Sequence, residues 1–354
     1  MSIKPGALRF NTDSMKLEIF RGSPNYEGSA SMAGIGTLAA GQWEEIVASY
    51  AGDFPASESS GTRAVFGGGG GAPSYSNIID YITVESTGNA NDFGDLTQAG
   101  NFAGALASTT RGVFGGRYSP GNQNTIDFVT ISTQGNAADF GDLQEGKRGP
   151  GGASNAVRGL FAGGYTPTSP AGDKNIIDYI TISTLGNAQD FGDLTRVISG
   201  LGAFASSTRA VFGGGPVPAQ GNIIDYVQIM SEGNAVDFGD LTVSCERIGG
   251  TSNRIRGLFA GGQAGPAYTN IISYVTIPTT GNAIDFGDLS ASKWHPGGAA
   301  SRNRAVFAGG YTPGSLLNVI DYVTIMSTGN AADFGDLTRA HQQVAGCSNG
   351  HGGL

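Results

Sequence analysis

The chain is poor in the residues that most often carry chemistry. Among 354 residues there are two cysteines, three histidines and two tryptophans, and charged side chains make up 14%. Cys245 and Cys347 fall at different places in the repeats described below, so they are not a recurring staple, and buried thiols are expected rather than a disulfide scaffold. His295, His341 and His351 show neither i, i+4 nor Cys/His spacing, so no metal is expected. No Gly-x-Ser-x-Gly elbow, HExxH or GxxxxGK[ST] occurs, and the glycine run 67–71 has no helix behind it to make a phosphate cradle. No cofactor is therefore expected. A net charge of −9 without any basic cluster argues against nucleic acid as a partner. No apolar run approaches the ~20 residues of a membrane helix. Met1-Ser-Ile-Lys also lacks the apolar core of a signal peptide. The expectations are no membrane insertion and synthesis in a cytoplasm.

What the chain has in excess is glycine, 60 residues of 354, against a usual share of ~7%. Much of it is periodic. The phrase Asn-Ala-x-Asp-Phe-Gly-Asp-Leu occurs six times, with its first Asp at 92, 139, 190, 237, 285 and 333. A spacing of 47 to 51 residues matches one four-stranded propeller blade. Within one unit the punctuation separates four apolar runs. The small-residue segment 151–155 suits an inner strand, where backbones crowd near an axis. Arg158-Gly-Leu-Phe161 follows and ends at Gly163-Gly164. Ile176 to Ile182 is apolar on both faces, as a strand between two neighbouring sheets must be. A Gly-Asn turn then leads to Gln189-Asp-Phe-Gly-Asp-Leu194, short and charged like an outer edge.

Six such units predict an all-β fold, a six-bladed propeller of four-stranded antiparallel blades over residues 62–354. The last residues, 346–354, align with 152–160, where a further unit would begin. Residues 340–350 are therefore expected to supply the inner strand of the first blade and close the ring. The alternative closure uses residues 54–61 as that strand.

The double glycine after an apolar strand, the Asp-Tyr of the third strand and a later aromatic make the units resemble kelch repeats. Tyr81, Phe128, Tyr179, Tyr226, Tyr274 and Tyr322 take the Tyr place, and Phe93, Phe140, Phe191, Phe238, Phe286 and Phe334 stand where kelch repeats carry Trp. The resemblance implies a propeller and does not choose between an enzyme and a binding module.

Residues 1–50 are unlike the repeats, and 51–61 read as a linker. Residues 6–22 read as a β-hairpin and Trp43 as leading a third strand. The pattern of Gly6, Arg9, Phe10, Asn11, Thr12, Asp13, Leu17, Glu18, Phe20, Gly22 and Trp43 resembles a short module of bacteriophage tail-fibre and other virion proteins, here with an insertion at about 23–40. So small a segment buries a poor core alone. The resemblance implies virion attachment through Phe10, Leu17, Ile19, Phe20 and Trp43, with other virion proteins or further copies of this chain as partners.

Repetition also bears on the carboxylates. Asp80, Asp127, Asp178, Asp225 and Asp321 recur before the strand-three aromatic, and Arg63, Arg111, Arg158, Arg209, Arg256 and Arg304 recur at the start of strand two. A glycosidase needs two carboxyls in unlike environments. Equivalent residues in every unit are expected to be framework, each Arg pairing with an Asp. Only the fifth unit breaks the pattern, with Ser273. Recognition is sought where the units differ, in the loops between strands two and three, all expected on one face. Tyr75, Tyr118, Tyr165, Tyr268 and Tyr311 place an aromatic on most of them, suited to stacking on a sugar or anchoring a protein contact. The expected function is that of a non-enzymatic phage virion structural protein, a tail-fibre, capsid or neck appendage, binding a glycan or protein on the host surface. The alternatives are a kelch-like carbohydrate-active enzyme and a purely architectural decoration protein.

Overall fold

The structure, a computed structural model, describes the backbone of 8–11, 16–21 and 42–45, and then residues 62–71, 74–167, 172–215 and 221–354. Its contacts divide the chain into Met1–Ser59 and Ser60–Leu354.

In the first unit Leu8–Asn11 pairs antiparallel with Lys16–Arg21, which pairs in turn with Gln42–Glu45. Phe10 stands opposite Leu17, and Phe20 opposite Trp43. The linker 51–61, the insertion 23–40 and the side chains of Phe10, Leu17, Ile19, Phe20 and Trp43 lie outside the described residues.

The second unit is a six-bladed propeller without helices among the described residues. Blade 3 shows the order: Gly151–Ser154 nearest the axis, then Arg158–Ala162, Gly172–Thr181 and Gln189–Ile198 at the rim, each antiparallel to the last. Inner strands pack on the inner strands of both neighbours all the way round. Where they touch, small residues are needed: a Cβ on Gly152 would stand 2.2 Å from the Ala105 carbonyl of blade 2. In blade 1 the inner strand is Ala345–Ser348, paired with Arg63–Gly67 and followed by Ile78–Thr83 and Asn91–Asp95. It sits where the alignment of 346–354 with 152–160 puts it, and it occupies the edge of Arg63–Gly67 that the alternative closure would need; residues 54–61 lie outside the described residues.

The core is six layers, each shared by two adjacent blades. The layer between blades 6 and 1 joins Phe66 and Ile82 to Val306 and Phe334, all at most 2% exposed. In every blade the outer Phe meets the strand-three aromatic edge to face, as Tyr179 does Phe191 at 6.1 Å.

The six-fold phrase is an outer edge, and it is also a clasp. The Asn that opens it belongs to the loop between strands three and four, and its Oδ1 accepts the amide of the second Asp of the preceding blade: Asn136 from Asp95, Asn187 from Asp142, Asn234 from Asp193, each at 3.0–3.1 Å. The central Gly must be Gly. In Gly94 φ is +148°, and a Cβ there would lie 2.5 Å from the Gly135 carbonyl of the next blade.

The recurrent arginines do something other than expected. None pairs with a strand-three Asp. Each lies over its own blade's strand-three ring, 4.1–4.8 Å from the centroid, and donates to a carbonyl of the next blade, Arg63 to Ile131, Arg111 to Ile182 and so on round to Arg304 and Val84. The ring orients the guanidinium, and a backbone acceptor present in every unit does the rest.

The strand-three carboxylates find cations that come from three different places in the unit. Asp127 pairs with Arg117 at 2.6 Å, Asp178 with Lys147 at 2.7 Å, Asp225 with Arg196 at 2.9 Å and Asp321 with Lys293 at 2.9 Å, all essentially buried. Asp80 is held instead by the amide and hydroxyl of Thr338 from blade 6, and burial, which outweighs those bonds, raises its pKa. In blade 5, Ser273 meets the Thr242 hydroxyl, and Cys245 takes the place in the chain that Lys147 and Lys293 hold. Blade 5 thus lacks both the Asp and the Lys of blades 3 and 6.

Candidate binding site at the mouth of the ring

Each blade is joined to the next by a link that runs from the rim back to the axis. Two residues before the inner strand, every link turns through the left-handed region: Phe102, Gly149, Gly200, Arg247, His295 and Gln343 have φ between +56° and +66°. Their backbones form a chain of bonds around the axis. Gly149 donates to Phe102, Gly200 to Gly149, Arg247 to Gly200 and His295 to Arg247, at 2.6–2.9 Å. Between the sixth link and the first, the Asn101 side-chain amide donates to Gln343 Oε1 at 2.6 Å. Glycine suffices in two links. Four others carry side chains there although a non-glycine residue in this conformation costs about 1–2 kcal/mol. Strain of this kind is a signature of functional positions.

The loops between strands two and three emerge beside these links. Tyr118 bridges to Asn101, Tyr165 to Arg148 and Tyr311 to Trp294 through paired backbone bonds. The five loop tyrosines gather into two groups. Tyr75 meets Tyr118 edge to face at 5.7 Å, and the Arg148 guanidinium lies against both Tyr118 and Tyr165, at 5.1 and 4.7 Å. On the other side Tyr268 stacks on Trp294 at 6.1 Å, with Tyr311 set against both rings at 6.0 Å. All five are half-buried.

Between the groups lies a cleft of about 400 Å³, at the lower end of the range for small-ligand sites. Of the loop tyrosines only Tyr165 lines it. The other walls include Phe102, Arg148, Ser199, Glu246, Arg247 and Trp294 from five successive links, and Asp173 at the start of the third strand of blade 3. Arg247 lies over Trp294 at 4.6 Å, and its Nη1 is 3.8 Å from Glu246 Oε1. Trp294 is 9% exposed, and its Nε1 has no acceptor among the described residues. His295 meets Phe102 edge to face at 5.0 Å and lines the channel below. Its pKa is pushed down to about 3, first by burial and then by the Arg247 guanidinium, so the ring is neutral.

The axial channel continues down between the inner strands. Residues 349–354 cross its far end, where His351 Nε2 donates to the Ala107 carbonyl of blade 2 at 2.9 Å and the Gly352 amide to Ser252 of blade 5 at 2.9 Å. Gly353 donates to His351 Nδ1, which fixes the tautomer.

The sequence placed recognition on the loop tyrosines and overlooked the links. Their signal is present in the aligned units: where two carry Gly, the others carry Phe, Arg, His and Gln. Among the described residues no group of three or more His, Cys, Asp or Glu is arranged to hold a metal ion. No protein-family model matches the chain. No curated protein matches it significantly either.

Proposed function

We propose that this chain is a non-enzymatic structural protein of a bacteriophage virion, a tail-fibre, capsid or neck appendage, whose propeller presents the mouth cleft to a glycan on the host surface. One observation carries the reading. On a scaffold that repeats down to single hydrogen bonds, the side chains that do not repeat converge on one cleft of aromatic rings and guanidinium groups. Such walls suit a ligand that offers both flat apolar faces and polar edges. The virion assignment rests on the resemblance of residues 6–22 and Trp43 to the phage module, and the kelch-like character of the repeats on the Gly pairs and the two aromatics of each blade.

The test is adsorption of the purified protein to host cells and to a glycan array, with depolymerisation of each bound polysaccharide followed in parallel. Binding without turnover is expected. Turnover abolished by one Asp→Asn change and untouched by the equivalent change in other blades would favour the enzyme instead. A chain lacking residues 1–50 is expected to fold and to be absent from virions; its incorporation would refute the attachment role.

A further inference from the structure

We infer that the mouth cleft recognises a saccharide through a carboxylate, that is, an acidic sugar of the uronic or sialic type. The inference rests on the glycan-binding reading above and specifies its ligand.

Arg148 and Arg247 both line the cleft, and each is propped on aromatic rings: Arg148 against Tyr118 and Tyr165, Arg247 over Trp294. The N–H groups of a guanidinium lie in its own plane as a fork that matches a carboxylate. Neither guanidinium donates a hydrogen bond within the described residues, and the Glu246 carboxylate stands off at 3.8 Å from Arg247. The comparison within the same molecule is telling: the buried cations facing strand-three Asp residues are at 2.6–2.9 Å from their carboxylates, and the six framework arginines each reach a carbonyl. Among the described residues, these two arginines share one cleft and have no hydrogen-bond acceptor.

The remaining polar groups limit the kind of anion. Asp173 and Glu246 line the same cleft, so its formal charge is balanced and a polyphosphate would meet two like charges. A sugar acid presents one carboxylate to the arginines and hydroxyl donors to the carboxylates.

Isothermal titration of the full chain tests this. The probes are oligosaccharides ending in glucuronate, galacturonate or N-acetylneuraminate, their carboxyl-reduced counterparts, and inorganic sulfate. At least one acid sugar is expected to bind, with a loss of about tenfold or more on reduction of its carboxyl and in Arg148→Gln or Arg247→Gln. Arg247→Lys, which keeps charge and loses the fork, is expected to weaken binding as well. Unfolding midpoints of the variants separate loss of site from loss of fold, and Glu232→Gln, outside the cleft, is the control expected to bind normally. Equal affinity for the reduced sugars, or binding of neutral glycans unaffected by the arginine changes, overturns the inference and leaves glycan recognition standing. Sulfate binding as tight as any acid sugar also overturns it, as a general anion site. Failure to bind any saccharide, acidic or neutral, or host cells overturns both.

Discussion

The amide of Asp336 in blade 6 donates to Asn89 Oδ1 in blade 1 at 3.1 Å. The same bond, at the same length to within 0.1 Å, joins every other pair of neighbouring blades. The junction that sets the N-terminal strands of blade 1 against the last blade is therefore built like the other five. Asn89→Ala and Asn187→Ala are expected to destabilise the ring equally, by about 1 kcal/mol each in denaturant titrations. A negligible effect at Asn89 alone would mean that the seam is not engaged in solution.

This clasp shows where reading the sequence succeeded and where it fell short. Strand order, blade number and the closing strand follow from spacing and from small residues near the axis, because a six-fold constraint leaves few alternatives. The phrase was legible as an edge, whereas its grip on the neighbour depends on a Gly-Asn loop meeting a Gly across a blade boundary. Contacts between units leave no periodic signal of their own. The arginine assignment failed for a related reason: two recurring opposite charges invite pairing, yet a backbone carbonyl of the next blade lay nearer than any recurrent Asp. At the candidate site, the loop tyrosines were visible by composition. Arg247 and His295 were hidden because what matters is their equivalence to Gly149 and Gly200.

Ser273 and Cys245 offer a charge-exchange test. Ser273→Asp alone buries a carboxylate with no cation, and a loss of about 3–5 kcal/mol is expected. The double change with Cys245→Lys recreates the Lys147–Asp178 pair seen at 2.7 Å in blade 3 and should recover most of that loss. A non-interacting pair in the double-mutant cycle would show that the equivalence of Cys245 and Lys147 does not extend to side-chain placement.

All three histidines have pKa values lowered by burial, His295 to about 3. A group whose native pKa lies below its ordinary 6.5 takes up its proton more readily when unfolded. The histidines' contribution should therefore be complete above pH ~6.5 and decline as pH falls below it, continuing toward pH ~3 for His295, opposed by the raised carboxyl of Asp80. Melting curves between pH 7.5 and 4 measure the slope, and His295→Asn should flatten it.

The left-handed turn at His295 ranks substitutions in an unusual order. Branched side chains suffer most at φ +56°, so His295→Val should be about 1–2 kcal/mol less stable than His295→Gly in denaturant titrations. A reversed order would show that the link relaxes into another conformation.

Cys245 and Cys347 are both buried, and burial pushes each thiol up to about 12. Thiol reagents at neutral pH should modify neither in the folded protein and both after unfolding. Rapid labelling under native conditions would reveal opening of the fourth or first blade.

The inner strand of the first blade has a consequence for biosynthesis. Arg63 bonds Asn349 across 286 residues of sequence, so the edge of Arg63–Gly67 stays unpaired while nearly the whole ring is being translated. Blades 2 to 6 can each assemble from consecutive strands as they leave the ribosome. The first cannot, and its bare edge is open to pairing with another nascent chain until the last strand arrives. For this protein, a stalled or shortened translation product is not a slightly smaller ring but an open sheet prone to aggregate.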